Sequence, residues 1–392
     1  MRQASMRSVD TFDAIVVGLG AHGSAAAAAL GRRGLRVLGL ERFGRGEAKG
    51  SSGGRSRMMR LAHFEHPWLV PLAAAAWDRW RALEQETSSA ILTETGGLYA
   101  GPAGSTIVEG SRKSAASLGL AYEVMDAAEM HARWPIFEPP DDTAAVLEAK
   151  AGVLRTDLAI GAHLRVAEAA GADLRFDHRV VGWRSTPSGG FEIEGADHSL
   201  VGGDHLVLTT GPWIGELVPE LRLPLVVERE AVGWFEPRVP VGPLRDDAFP
   251  LWVFATVEDG AMYGIPYDDE LGLKVSRHHW GVFVDPETVD RTFAASDEAR
   301  IRAFIRRHIP NADGPVRTSS ICLYTNTPDE TFVVDRYPGT SGLAFASACS
   351  GHGFKFAPLI GEILADLAVD GETSWAIEPF RVDRFVTATT PE

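Results

Sequence analysis

The sequence predicts an α/β protein, α+β overall, in which a Rossmann-type dinucleotide-binding domain is interleaved with an antiparallel-β substrate domain. Three observations carry this. An apolar run at 12–17 leads into Gly18-Leu19-Gly20-Ala21-His22-Gly23 and then an alanine-rich stretch at 24–30, the order strand, glycine turn, helix. Residues 223–304 alternate with the period of antiparallel strands, as in Ala231-Val232-Gly233-Trp234-Phe235 and Ala261-Met262-Tyr263-Gly264, punctuated by Pro and Gly. The end of the chain returns to an α/β pattern, with a strand at 343–348, the turn Ser350-Gly351-His352-Gly353 and a helix at 359–368.

Taken in order, each element has a local reason. Gly18 permits the tight turn, Gly20 lets backbone approach a pyrophosphate, and Gly23 lets the helix pack on its strand with N-terminal amides facing phosphate. A second strand at 35–40 ends in Glu41, close to the roughly 20-residue spacing of an acid that binds a ribose hydroxyl. Such an acid disfavours a 2′-phosphate and leaves NAD or FAD. The glycine- and charge-rich stretch 42–54 delivers Arg55, Arg57 and Arg60 ahead of an amphipathic helix at 68–86. A short strand at 97–100 and a helix at 115–134, interrupted by prolines, form an insert. Nucleotide-domain material resumes at 152, with a helix at 157–170 and strands at 174–176 and 191–194. The buried strand 204–211, ending Thr209-Thr210-Gly211, resembles the second strand-to-glycine turn of flavin oxidoreductases. The division expected is 10–91, 150–220 and 319–392 for the nucleotide domain, with 92–149 and 221–318 for the substrate domain.

Composition bounds what this domain pair can do. At 392 residues the chain exceeds one ordinary core. Its formal net charge of −15 argues against a nucleic-acid or anionic-membrane partner, while a local positive pocket could still draw in a small anion. Two cysteines, Cys322 and Cys349, are too few for a disulfide framework and suit a reducing cytosol. The polar opening residues do not read as a signal peptide, and no apolar run reaches membrane-spanning length, so a cytoplasmic enzyme is expected. The histidines of His63-Phe64-Glu65-His66 have no third ligand at a useful spacing, so no metal is expected.

Gly18-Leu19-Gly20-Ala21-His22-Gly23 with Glu41, Ser56-Arg57-Met58-Met59-Arg60, Gly272-Leu273-Lys274 with His278, Cys322-Leu323-Tyr324, and Ser350-Gly351-His352-Gly353-Phe354-Lys355-Phe356 stand in an order and spacing that resemble the monomeric sarcosine oxidase and N-methyltryptophan oxidase family. The match spans nearly the whole chain, and its last heptad and Cys-x-Tyr element are far more specific than the glycine motif.

The resemblance implies FAD, held by Gly18, Gly20, Gly23, Glu41 and Arg42, with Arg57 over the flavin ring, Gly351 and Gly353 in the closing turn, and a covalent bond from Cys322 to the flavin 8α-methyl group. It assigns Arg60 and Lys355 to a substrate carboxylate and Lys274 to the reaction with O₂. Tyr263, His278, Tyr324 and His352 would line the pocket. The implied reaction oxidises a secondary-amine amino acid to aldehyde, primary amine and H₂O₂, by a monomer with no macromolecular partner. A cyclic imino-acid oxidase of the pipecolate type or a flavin dehydrogenase would share Arg60 and Lys355. A non-enzymatic dinucleotide-binding protein would need the Cys322, Lys274 and Lys355 matches to be accidental. Two departures stand out. Ser51-Ser52-Gly53-Gly54-Arg55 replaces a family histidine and places an arginine where those enzymes carry an acid. Phe254 is expected as a bulky pocket wall, pointing away from sarcosine itself. Cys349 is expected in the core.

Overall fold

The computed structural model describes residues 10–385 except 48 and 118; the opening residues 1–9, read above as polar, lie outside the described residues. The chain forms two compact units: one from the chain up to Ser51, 160–226 and Thr325 onward, the other from 52–159 and 227–324.

The first unit is built on a sheet whose central strand, Asp10–Val17, pairs parallel with Leu200–Leu208 on one side and Val37–Leu40 on the other. Asp173–Arg175 extends it parallel beyond Val37–Leu40, and Leu343–Ser347 pairs parallel with Leu200–Leu208. Val37–Leu40 and Leu343–Ser347 are buried along their whole length, and Asp10–Val17 over its last four residues, as expected where both faces of a parallel sheet are covered. The helix Ala21–Arg32 buries Ala25 to Ala29, and Gly361 of the helix Ala357–Val369 comes so close that an added Cβ would lie 2.5 Å from the Ala25 backbone. Small residues at both positions permit that approach.

The second unit carries an eight-stranded sheet in which Val226–Phe235, Gly272–Arg277, Gly260–Asp268, Leu251–Thr256 and Gly97–Pro102 are successive neighbours, with Val316–Asn326 beyond Val226–Phe235. A three-stranded sheet joins Ser56–Arg60, Ala151–Arg155 and Leu92–Glu94. The antiparallel pairing of Ser56–Arg60 with Ala151–Arg155 draws residues 52–91 and the start of the 150–220 segment into this unit, whereas the sequence placed that boundary at 91.

Two elements differ from expectation. The helix expected at 115–134 is two helices, Thr106–Ser117 and Ala127–Arg133, separated by the strand Tyr122–Asp126. Gly119, at φ +62°, stops the first helix, Asp126 caps the second, and the strand gains a full antiparallel ladder with Thr143–Glu148. The alternating region ends before 295: Ala295–His308 is a helix burying Ile301, Phe304 and Ile305, whose i, i+3, i+4 spacing is helical.

Candidate active site

In the first unit the helix Ala21–Arg32 starts at Gly20 with no side-chain cap and no acidic residue in its first turn, which leaves its amides and positive dipole end to an anion. Gly23 is required by space: a Cβ there would lie 1.7 Å from the Gly18 carbonyl oxygen and 2.4 Å from Thr209 Oγ1. Gly23→Ala is therefore expected to cost about 3 kcal/mol through overpacking and to weaken dinucleotide binding, read as a lower Tm and loss of any bound chromophore after gel filtration. Glu41 accepts hydrogen bonds from the amides of Leu19 at 2.8 Å and Phe43 at 3.1 Å, which leaves its carboxylate room for a further donor. Burial raises its pKa, and those amides oppose the rise. Arg42 lies 4.4 Å from the centre of the Trp213 ring. An uncapped helix start, a closely packed glycine turn and an acid at the end of the second strand fit the diphosphate and ribose of a dinucleotide such as FAD.

The C-terminal heptad lies in the same unit. His352 Nε2 sits 2.9 Å from the Glu330 carbonyl, and Lys355, 3% exposed, donates to the His352 carbonyl with its ammonium 5.1 Å from the Phe356 ring centre. His22, the variable residue of the glycine motif, was missed by the motif reading. Burial pushes it down to about 4, a hydrogen bond to the Gly353 backbone opposes that, and this bond ties the two glycine turns together.

In the second unit, strand alternation gathers several of the remaining candidates on one sheet face, while Arg57 and Arg60 lie on the three-stranded sheet. Tyr99, Val253, Tyr263, Ser276 and Val232 occupy directly paired positions across five strands. One step along, Ile265, Lys274 and Trp234 form the next row. Cys322 packs with Val232, Trp234 and Leu271. His278, just past its strand, has Nδ1 3.4 Å from the Tyr324 hydroxyl. Burial pushes the Tyr263 phenol up, while Arg57 pulls it down.

Lys274 is 1% exposed and donates to the carbonyls of Gly54 at 3.1 Å and Ser56 at 2.8 Å and to Ser56 Oγ at 3.3 Å. Desolvation, with help from Arg57, lowers its pKa to about 7 against an opposing pull from Cys322. Gly54, at φ +90°, admits no side chain: a Cβ would lie 2.8 Å from Cys322 Sγ and 2.9 Å from Arg57 Nη1. Gly54, next to the Gly53 departure, thus makes room for the cysteine and the arginine. Arg55 points its charge to an exposed pairing with Glu270 at 3.2 Å and offers only its backbone carbonyl, to Thr156, at this turn.

Arg60 is buried in a charged cluster, paired with Glu65, donating to the Ala62 carbonyl at 3.1 Å, and lying over the Phe64 ring. Desolvation works against its charge, but Glu65, Tyr99 and Glu148 outweigh it and raise its pKa. Glu148, fully buried, accepts from the amides of Leu61 and Ala62 and from the Tyr99 hydroxyl at 2.9–3.0 Å. Nothing in the residue pattern marked Glu65, Tyr99 or Glu148, because their meeting depends on the fold.

Phe254 does not wall this pocket. It packs on the opposite sheet face, with ring centres 6.4 Å from Phe137, 5.8 Å from Phe304 and 5.3 Å from His308. One residue of alternation separates the faces, and Val253 is the side chain that stands beside Tyr263. Cys349 lies past the end of its strand and is only half-buried. Among the described residues one group, Glu228, Glu230 and His279, brings ligand-type atoms within 4.8 Å of one another.

Residues 13–367 match the family described as FAD dependent oxidoreductase. The chain is 39% identical over 381 residues to the monomeric sarcosine oxidase of Streptomyces avermitilis, covering 96% of this chain and 99% of that one. It is 33% identical over 376 residues to the N-methyl-L-tryptophan oxidase of Salmonella enteritidis PT4, covering 95% and 99%. The solved structure of NikD, an unusual amino acid oxidase essential for nikkomycin biosynthesis, aligns with a TM-score of 0.84 at 25% identity over 95% of this chain and 97% of that chain. The glycine cradle, the buried cations and these relationships agree: the chain belongs to the FAD dependent oxidoreductase family, alongside the monomeric sarcosine oxidases and N-methyltryptophan oxidases.

Proposed function

We propose that the protein oxidises a secondary-amine amino acid, sarcosine or a bulkier N-methyl amino acid, giving an aldehyde, a primary amine and H₂O₂. The observation that carries the reading is the gathering of Cys322, Lys274, Tyr263 and Tyr324 on one sheet face. Bound FAD supplies the two-electron oxidation of the N-alkyl carbon and passes the electrons to O₂. The chain's own residues bind, orient and provide charge. Arg60 and Lys355 take the substrate carboxylate, each through charge-assisted hydrogen bonds worth about 1.5–3 kcal/mol. Tyr263, His278 and Tyr324 flank the amine, with Val253 as the small wall, so residue size at this wall sets no bar to sarcosine. His352 shapes the turn that presents Lys355. Lys274 holds a proton on a desolvated amine, where its charge acts at full strength on a developing anion. Cys322 is the attachment point for the flavin, and Gly54 and Arg57 shape the space beside its sulfur. Two cysteines with no disulfide between them support a reducing, cytoplasmic setting, and the resemblance to the monomeric sarcosine oxidases supports a monomer.

Acid precipitation of the purified protein, paired with addition of N-methyl amino acids under argon, tests this directly. Yellow colour retained in the pellet and bleaching by a secondary amine are expected. Colour released to the supernatant removes Cys322 from its role. A flavin that no secondary amine bleaches removes the substrate class. Formaldehyde as product separates N-demethylation from ring oxidation of a cyclic imino acid.

A further inference from the structure

We propose that Glu228 is a positioning residue for the oxidation: from the strand Val226–Phe235 it holds the turn 278–281 through His279 and the Gly281 amide, and so sets where His278 and Tyr324 stand. The proposal rests on the amine-oxidase reading above. Glu228 and Glu230 are i, i+2 neighbours on the face that also carries Val232 and Trp234, and they are 2% and 1% exposed. Two carboxylates buried side by side cost several kcal/mol unless each finds hydrogen-bond donors. Three consecutive residues of one turn supply donors to them. Glu228 accepts from the Gly281 amide through one oxygen and lies 2.9 Å from His279 Nδ1 through the other, while Glu230 accepts from the Trp280 amide at 3.3 Å.

That turn needs holding. His279 stands at φ +60° and Gly281 at φ +75°, and the left-handed conformation costs a non-glycine residue free energy and persists where its surroundings impose it. The turn begins at His278, whose amide donates to the Ala261 carbonyl at 2.8 Å and whose ring centre lies 4.2 Å from that of His279. The His279 ring in turn meets the Tyr324 ring edge-on at 5.4 Å. Glu228 thus acts on the pocket through His279, one layer behind the residues that line it. Beyond the turn, the backbone is secured independently: Val284 donates to the Val227 carbonyl and Arg229 to that of Val282. Removing the carboxylate therefore loosens 278–281 without detaching the segment.

The test uses the FAD-loaded enzyme with Glu228→Gln, Glu228→Ala and His279→Ala. The anaerobic bleaching rate with the best N-methyl amino acid should fall on the order of tenfold in Glu228→Ala and His279→Ala, less in Glu228→Gln, with no further fall when the two alanine changes are combined. Reaction of the reduced enzyme with O₂, which depends on Lys274, should be unchanged; that split is what a general structural defect would not produce. Equal losses in both half-reactions, or a Glu228→Ala enzyme that bleaches like wild type, would overturn the proposal. So would a stoichiometric divalent metal in the purified enzyme that vanishes in Glu228→Ala. If wild type bleaches with no secondary amine, the substrate reading fails and hydrogen exchange decides this one: protection lost only at 278–281 in Glu228→Ala supports it, and unchanged protection overturns it.

Discussion

Lys274→Met should slow the reaction of the reduced enzyme with O₂ by about 10²–10³-fold while leaving anaerobic bleaching by substrate nearly unchanged. The reason is burial. An ammonium at 1% exposure, bounded by two carbonyls and a hydroxyl, acts on nearby charge without water to screen it. Methionine keeps the length and the packing against Trp234 but carries no charge. The pH dependence gives an independent check. With a pKa lowered to about 7, the amine is cationic below pH 7 and loses its proton as pH rises through that value. The wild-type O₂ rate should therefore be highest on the acid side and fall across neutrality, while the methionine variant stays flat. Stopped-flow oxidation of pre-reduced enzyme from pH 6 to 9 measures both.

Lys355→Met and Arg60→Met should each lower kcat/KM for a carboxylate-bearing substrate by about 10–150-fold, the equivalent of about 1.5–3 kcal/mol of charge-assisted hydrogen bonding. Neither change should matter for a methyl-ester analogue, which has no anion to hold. The two variants should differ in stability. Lys355 donates to the neutral His352 carbonyl, so its loss costs less than taking the guanidinium from a carboxylate. Arg60 pairs with the half-buried Glu65 beside the buried Glu148, and removing it takes the guanidinium from Glu65 at a cost of about 3 kcal/mol. Arg60→Met is thus expected to show a markedly lower Tm, and Lys355→Met a smaller drop. Arg60→Lys should restore stability better than activity, because a point charge does not reproduce the guanidinium fork.

Much of this was readable from the chain. The strand, glycine turn and helix at 10–32 announce themselves through local rules, since each glycine answers to a steric need within a few residues of it. Arg57, Lys274 and Cys322 were legible only through the spacing of their motifs. Elsewhere the local text misled. Residues 115–134 carry enough helix formers to look continuous, yet pairing with Thr143–Glu148 turns Tyr122–Asp126 into a strand. Residues 295–304, the first ten of the helix Ala295–His308, follow a long alternating stretch and read as part of it, although Ile301, Phe304 and Ile305 keep helical spacing.

The sequence by itself determined the dinucleotide half of the protein, the family and the identities of its buried cations, because turn chemistry, strand period and motif spacing are properties of neighbours in the chain. Only the tertiary structure decided which face a side chain takes and what surrounds it. Val253 rather than Phe254 meets Tyr263 because cross-strand register sets the face, and a shift of one residue reverses it. Glu228 matters because a turn some fifty residues later folds back onto it. The pKa of Lys274 is lowered to about 7 because its amine is fully buried, with Arg57 adding to the effect, and desolvation belongs to the packed molecule, not to the residue.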